Sequence, residues 1–281
     1  MVKKINGFLG KLKVGSGEPV RIIGIINASP ESFYGESIIK SPEKAVELAN
    51  VMLKEGADGI DVGARSTAPY LESQITEDEE VRRIIPILQA LCSNFDIPIS
   101  IDTQRHRVAE QAVLRGATVI NDISGGSDPE LLDVASRFGT SLIILPQDRG
   151  PTKDCLEATV SDLRHRIQMA EEHGNPSSKI LVDPGIGFIR DCGIPWYDRD
   201  AIILANIATI RELGKPVYVG VSRKSFIGKI VGAGDPSDRL PGSLAAGAIA
   251  VVNGADVIRT HDIKPTLQAV RVAEHIRDNS H

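Results

Sequence analysis

The sequence predicts an α/β fold of the TIM (β/α)8 barrel type, preceded by a short N-terminal β-hairpin, and three observations carry that expectation. Eight short β-branched runs alternate with longer stretches of helical periodicity along the 281 residues. The runs are near-continuously apolar, the pattern of parallel strands covered on both faces. The phrase Gly-Ala-(Asp/Thr) recurs at 56–58, 116–118 and 254–256, each time closing a helical stretch and opening a strand, as helix-ending glycines do. Eight strand–helix units in roughly 250 residues make such a barrel. The alternative is an open doubly wound sheet. It is disfavoured because no Gly-x-Gly-x-x-Gly follows the first strand.

Taken in order, "FLGKLKVGSGEPVR" predicts a hairpin turning at Gly15–Gly17 and closing the bottom of the barrel. The strands are expected at 21–27, 59–63, 97–102, 118–124, 141–146, 180–185, 216–221 and 257–261. In the last helix Ala269, Val272, Ala273 and Ile276 have i, i+3, i+4, i+7 spacing and are expected to form its buried face. No linker or low-complexity segment divides the chain, so residues 1–281 are read as one domain, with the hairpin in 1–20 and the barrel in 21–281.

Composition narrows the function. The net charge of −5 comes without a basic run, which argues against nucleic-acid binding. Cys92, Cys155 and Cys192 are odd in number and widely spaced, fitting neither a disulfide framework nor a zinc motif. No apolar run approaches the ~20 residues needed to span a bilayer. With no secretion signal after "MVKKINGFLGKLKV", the expected location is the cytoplasm.

The chemistry gathers at the strand ends. The first strand ends in Asn27, the second leads to Arg65, Ser66 and Thr67, and the third ends in Asp102. The fourth carries Asn121 and Asp122, and the sixth Asp183. The seventh opens onto Ser222, Arg223, Lys224 and Ser225, and the eighth holds Arg259 and His261. In a TIM barrel these ends meet on one rim, where active sites sit. Each residue also has a plain structural reading. Asp102 could cap a helix starting at Gln104, Asp183-Pro184-Gly185 could be only a turn, and His261 could pair with Asp262. Convergence of seven strands on one rim favours a site. Asp102, Asn121 and Asp183 suit a flat heterocycle rich in N–H donors, such as an aminopyrimidinone. Asn27, Thr67, Arg259 and His261 suit a phosphate or metal–phosphate, and Lys224 stands between the two zones.

At these residues the chain resembles the dihydropteroate synthase family from residue 21 onward. The matching segments are "GIINASPESF" (24–33), "DVGARSTAP" (61–69), "ISIDTQRHRVAEQA" (99–112), "INDISG" (120–125), "DPGIGF" (183–188), "SRKSFIG" (222–228) and "VIRTHD" (257–262). The resemblance implies a barrel that joins a dihydropterin pyrophosphate to an aryl amine and releases pyrophosphate. It implies that Asp102, Asn121, Asp183 and Lys224 hold the pterin, and that Asn27, Thr67, Arg259 and His261 hold the pyrophosphate. Asn27 would also help position Mg²⁺, and Pro69, Phe188 and Ser225 would face the aryl amine. Asp102, Lys224, Arg259 and His261 are then the expected catalytic groups. A homodimer through late helices is implied as well. The helix of "SLAAGAIAVVNG" (243–254) is small and apolar enough for such packing, although ordinary core is the plainer reading.

The sequence departs from the family pattern in three places. In the second loop Ala68 stands where an arginine follows the threonine, with Arg65 three residues earlier. The fifth strand ends in Leu145-Pro146-Gln147 rather than Met-His-Met, and the first loop reads "ESFYGES". The departures leave the pterin residues intact and bear on the acceptor. Three alternatives follow. One is a methanopterin-pathway synthase whose acceptor carries a ribosyl phosphate, met by Arg65, Arg149 or Arg190. Another is a methyltransferase using methyltetrahydrofolate or methyltetrahydropterin. The last is a non-catalytic pterin-binding protein.

Overall fold

The computed structural model describes residues 4–28, 39, 41–63 and 75–280. The chain begins with an antiparallel hairpin, β1 (Asn6–Leu9) and β2 (Leu12–Gly15), paired from Asn6↔Gly15 to Leu9↔Leu12. Its turn is Gly10–Lys11, not the expected Gly15–Gly17. Gly10 supplies a φ of 59° at the tight turn, while Gly15 and Gly17 lead the chain out of the hairpin.

The eight remaining strands are β3 (Arg21–Asn27), β4 (Gly59–Gly63), β5 (Ile99–Asp102), β6 (Val119–Asp122), β7 (Ser141–Ile144), β8 (Ile180–Val182), β9 (Tyr218–Gly220) and β10 (Val257–Thr260). They form one parallel sheet in the order β8-β7-β6-β5-β4-β3-β10-β9, and a parallel bridge from Val182 to Val217 brings its two edges together. All eight expected runs are strands. The last five leave the ladder one to three residues early, where polar side chains turn into the rim.

Side-chain alternation divides the strands into two faces. Ile22, Ile26, Ile60, Val62, Ile99, Ile101, Ile120, Leu142, Ile144, Ile180, Val182, Val219 and Ile258 face outward into the core under the helices. Ile23, Val119, Ile143, Leu181, Tyr218 and Val257 face inward and pack with Leu9 and Val14 of the hairpin. Apolar side chains on both faces explain the continuous runs. The hairpin seals the N-terminal mouth: the Gly10 amide donates to Ser141 Oγ at 2.9 Å, Ser141 Oγ donates to the Phe8 carbonyl at 2.7 Å, and Lys179 Nζ donates to the Gly10 carbonyl at 3.0 Å.

The helices are α1 (Pro42–Lys54), α2 (Glu77–Asn94), α3 (His106–Val113), α4 (Pro129–Phe138), α5 (Cys155–Glu172), α6 (Trp196–Ala205), α7 (Ile207–Arg211), α8 (Ser225–Val231), α9 (Leu240–Val252) and α10 (Ile263–Asp278). Ser41, Thr76, Asp128 and Asp154 cap the N-termini of α1, α2, α4 and α5 with their side chains, as short oxygen-bearing residues do. None of the helices among the described residues is long and apolar enough to cross a membrane.

The last helix corrects the sequence reading. Its buried face is Ile263, Thr266, Val270, Ala273 and Glu274. Of the expected stripe only Ala273 is buried, and Val272 and Ile276 are 62% and 54% exposed. The helix is apolar on more than one side. Val272 and Ile276 join Ile249 and Val252 of α9 in an exposed apolar groove, while α9 buries Ser243, Ala246, Gly247, Ala250 and Val251.

Candidate active site

One level above the apolar layer, the inward side chains become polar. Asp61 on β4 is completely buried. Its Oδ2 accepts from Arg259 Nε at 2.6 Å and from Asn121 Nδ2 at 3.2 Å, and Arg259 Nη2 donates to Asp102 Oδ2 at 3.1 Å. Arg259 thus ties β10 to β4 and β5 across the barrel. Burial alone would weaken its hold on the proton, but Asp61 and Asp102 outweigh burial and keep its pKa above the ordinary value. A half-buried cation between carboxylates is held by such pairing. Asp102 is not the expected helix cap, since α3 starts at His106 with Arg105 before it. With Asn121 Nδ2 committed to Asp61, Asn121 Oδ1 has no partner among the described residues and is oriented to accept from a ligand N–H. Glycines keep the space open. Gly63 pairs with Asp102, and Gly220 pairs with Arg259. A Cβ at Gly220 would already lie 3.9 Å from Arg259 Cβ and Cδ.

Asp183, just past β8, accepts from the Gly185 amide at 2.8 Å. Burial pushes its carboxyl up to about 6, partly offset by that bond and by Lys224. Burial pushes the Lys224 ammonium down to about 8, with Asp183 opposing the shift. Lys224 Nζ stands 4.1 Å from the centroid of the Phe188 ring, a cation–π contact. Gly187, at φ 79°, lies beneath it; a Cβ there would sit 3.1 Å from Lys224 Cδ. The Asp183-Pro184-Gly185 stretch is therefore more than a turn. It is held from below by Arg199 and Asp200, both completely buried. Asp200 accepts from the Gly187 amide at 2.9 Å, and Arg199 donates to the carbonyls of Gly185 and Pro184, each at 3.0 Å.

The two cations after β9 separate into different roles. Arg223 is the one non-glycine with positive φ among the described residues, at 54°. Its guanidinium grips Asp262 at 2.9 and 2.7 Å and the carbonyls of Pro236 and Ser237 at 3.0 and 2.9 Å. It anchors the loop and hands the next residue, Lys224, to the site. His261 pairs with Ser222 rather than with Asp262. Its amide donates to Ser222 Oγ at 3.2 Å, and the same oxygen lies 2.9 Å from Nδ1. Burial, and then Arg259, Arg223 and Lys224, push the imidazole down to about 3. It is neutral near pH 7 in the ligand-free site. In that neutral state His261 has a hydrogen bond, and no charge, to offer an incoming phosphate.

Asn27 ends β3 opposite Gly63 at the same rim. Ser225 follows Lys224 at the start of α8 and accepts from Arg190 Nη2 at 2.9 Å, and Arg190 stacks 3.7 Å over Trp196. Arg149 pairs with Asp162. Leu145 faces the barrel interior. Pro146 abuts Gly185, and Gln147 bonds Asp162 through its amide and Ser124 through its side chain. Asp122 does not enter the site: it accepts from Ser124 and Gly126 and shapes the loop after β6. Thr67 and Pro69, with Arg65 and Ala68, lie outside the described residues.

The structure thus gathers Asp102, Asn121, Asp183, Lys224, Phe188, Arg259 and His261 at the C-terminal end of the barrel, with Asn27 and Ser225 on its rim. Sequence reasoning missed Asp61, Arg199 and Asp200. Asp61 had a signal: it is a lone carboxylate in the middle of the apolar strand "GIDVG", a position where an unpaired charge would be very costly.

Known proteins resemble this chain over most of its length. The family profile for "Pterin binding enzyme" matches residues 23–261. The chain is 37% identical over 268 residues to the dihydropteroate synthase of Synechocystis sp., covering 92% of this chain and 90% of that one. It is 36% identical over 262 residues to that of Escherichia coli K12, covering 90% of each. The Coxiella burnetii dihydropteroate synthase, solved with pteroic acid, superposes with a TM-score of 0.86 at 31% identity, covering 98% of each chain. The Xanthomonas albilineans dihydropteroate synthase, solved with 4-aminobenzoic acid, gives 0.86 at 31% identity, covering 98% of this chain and 99% of that one. Family profile, relatives and fold coincide: the chain belongs to the dihydropteroate synthase family of pterin-binding enzymes.

Proposed function

We propose that this chain is a transferase that condenses 6-hydroxymethyl-7,8-dihydropterin pyrophosphate with 4-aminobenzoate and releases pyrophosphate. The observation that carries this reading is the set of acceptors, Asp102, Asn121 Oδ1 and Asp183, at the barrel end that holds half-buried Lys224, with Arg259 bonding Asp102 directly and sharing Asp61 with Asn121. A pterin presents several N–H donors and a carbonyl on one edge. Asp102, Asn121 and Asp183 accept from the donors, and Lys224 donates to the ring. Such charge-assisted contacts contribute ~1.5–3 kcal/mol each. Breaking the C–O bond puts positive charge on the pterin methylene and negative charge on the departing diphosphate. Asp102 and the electron-rich ring stabilise the first. Arg259, His261, Asn27 and Thr67 stabilise the second. The neutral aryl amine already carries its lone pair, so it forms the C–N bond without a general base and then gives its proton to water. Holding the two reactants in line supplies much of the rate. Phe188, Pro69 and Ser225 are the proposed walls for the aryl ring.

The family implies Mg²⁺. That ion favours a few oxygen ligands combined with substrate phosphates, and the single amide oxygen of Asn27 on the rim fits such a partial donor set. When bound, the ion would neutralise diphosphate charge. A second proposal concerns assembly. The apolar face of α9 and α10, with Ile249, Val252, Val272 and Ile276 exposed, suits a second copy of this chain, since exposed apolar patches of this kind mark association surfaces. Sedimentation should show a dimer, and Val272→Lys should yield a monomer. The cytoplasm is the proposed location.

The direct assay offers the dihydropterin pyrophosphate with 4-aminobenzoate and, separately, with a ribosyl-phosphate aminobenzene. We expect dihydropteroate and pyrophosphate in equal amounts from the first. Turnover only with the second would move the protein to the methanopterin pathway. Pterin binding without turnover on either amine would leave a binding protein.

A further inference from the structure

The polar layer stands on a group that the reaction above leaves without a role. Tyr218 is completely buried in the barrel interior among Leu9, Val14, Ile143, Leu181 and Val257, yet its hydroxyl has no hydrogen-bond partner among the described residues. Asp61 Oδ1 is in the same position: buried, and unpartnered among the described residues. Buried polar atoms are rarely left this way, and such cases call for a reason. A phenylalanine would fill the same apolar layer without burying an oxygen.

The geometry supplies a reason. Tyr218 points inward from β9, two residues before Gly220, so the next inward position on that strand has no side chain. Arg259, the ladder partner of Gly220, lies against that opening, and its Nε sits on Asp61 Oδ2. The phenol therefore stands in the apolar layer one inward position below Arg259, and it shares the barrel interior with a carboxylate that has one oxygen without a partner among the described residues. Burial first, and Asp61 next, hold the phenol proton well above its ordinary pKa, so the group is a neutral donor.

Building on the reading of this site as a pterin pocket, we propose that Tyr218 is a positioning residue: with the pterin bound, its hydroxyl donates to Asp61 Oδ1 and fixes the carboxylate that orients Asn121 and Arg259. Asp61 then carries three donors, one each from β6, β9 and β10. Its capacity is used within the protein, and the ring edge is read by Asp102, Asp183 and Asn121 Oδ1. Tyr218 acts on recognition of the pterin and not on the aryl amine.

Tyr218→Phe tests this while preserving the packing of the ring. Calorimetric titration of wild type and variant with 6-hydroxymethylpterin should show affinity reduced about tenfold, equivalent to ~1.4 kcal/mol. The ligand-free melting temperature should be unchanged or raised. In turnover, the KM for the pterin substrate should rise while the KM for the aryl amine stays constant. In an Asp61→Asn background, Tyr218→Phe should add less than twofold. Affinity within twofold of wild type in the single variant, or fully additive losses in the double variant, would overturn the proposal. A wild type that binds pterin without making product would sink the synthase reading and leave the Tyr218 comparison intact. A wild type that binds no pterin would overturn both.

Discussion

The two ends of the barrel interior come from the same eight strands and differ in what they can tolerate. At the N-terminal end Ile23, Val119, Ile143, Leu181 and Val257 meet Leu9 and Val14 of the hairpin, and the polar atoms left without a partner near that layer among the described residues are the hydroxyls of Tyr218 and Ser100. At the C-terminal end Asp61, Asp102, Asn121, Asp183, Lys224 and Arg259 are all inward or rim-facing, and each depends on its neighbours' charges or hydrogen bonds. Apolar layers stabilise the fold through burial, whereas the polar layer is held together by cross-ties and leaves acceptors for a ligand. Stability and recognition are therefore separated by one or two residues along each strand.

Substitution at each end should break this contrast in opposite ways. The largest effect on activity is expected for Lys224→Met, which removes the half-buried donor. We expect kcat/KM to fall by roughly 10²–10³, the range for losing one preorganised donor, with folding retained as judged by circular dichroism. Leu9→Ala should do the reverse. Truncating a core leucine costs about 2–5 kcal/mol, read as a lowered denaturant midpoint, while kcat/KM per folded molecule stays within about twofold of wild type.

A smaller effect sharpens the contrast through pH. Asp183 ionises near 6 and Lys224 loses its proton near 8 in the ligand-free site. Pterin affinity should therefore be highest between those values and fall on both sides. The sign for stability is opposite on the acid side. Asp183 has a folded pKa above its ordinary 3.8, so its ionised form costs stability above about pH 6, and that cost is relieved as pH falls from 6 towards 4. The stability difference between Asp183→Asn and wild type should shrink over that interval while wild-type affinity drops. In Leu9→Ala both limbs should stay where they are. An affinity profile that is flat from pH 5 to 9 would contradict the assignment of these two groups to the site.

The same contrast explains what the sequence disclosed. The strands were legible because apolar side chains on both faces leave an unbroken run, and the site was legible because polar residues end those runs. Asp61 was hidden because it lies inside a run, where its partners, Asn121 and Arg259, are 60 and 198 residues away. Arg223 and Lys224 are adjacent and both cationic, and only the φ of Arg223 and the position of Asp262 separate anchor from site. Residues Val272 and Ile276 fit a helical core stripe, but spacing cannot say whether a stripe faces its own barrel or another surface. The neutral state of His261 was likewise invisible, since it follows from burial beside three cations.

The central claim is that the polar layer at the C-terminal end of the barrel is a pterin pocket closed around Lys224. Equilibrium titration with the dihydropterin pyrophosphate, in the absence of aryl amine and at pH 7, tests it most directly. The account expects one molecule bound per chain in wild type and in Leu9→Ala, with affinity lowered by about two orders of magnitude, ~2.7 kcal/mol, in Lys224→Met. Equal affinity in Lys224→Met and wild type would contradict it.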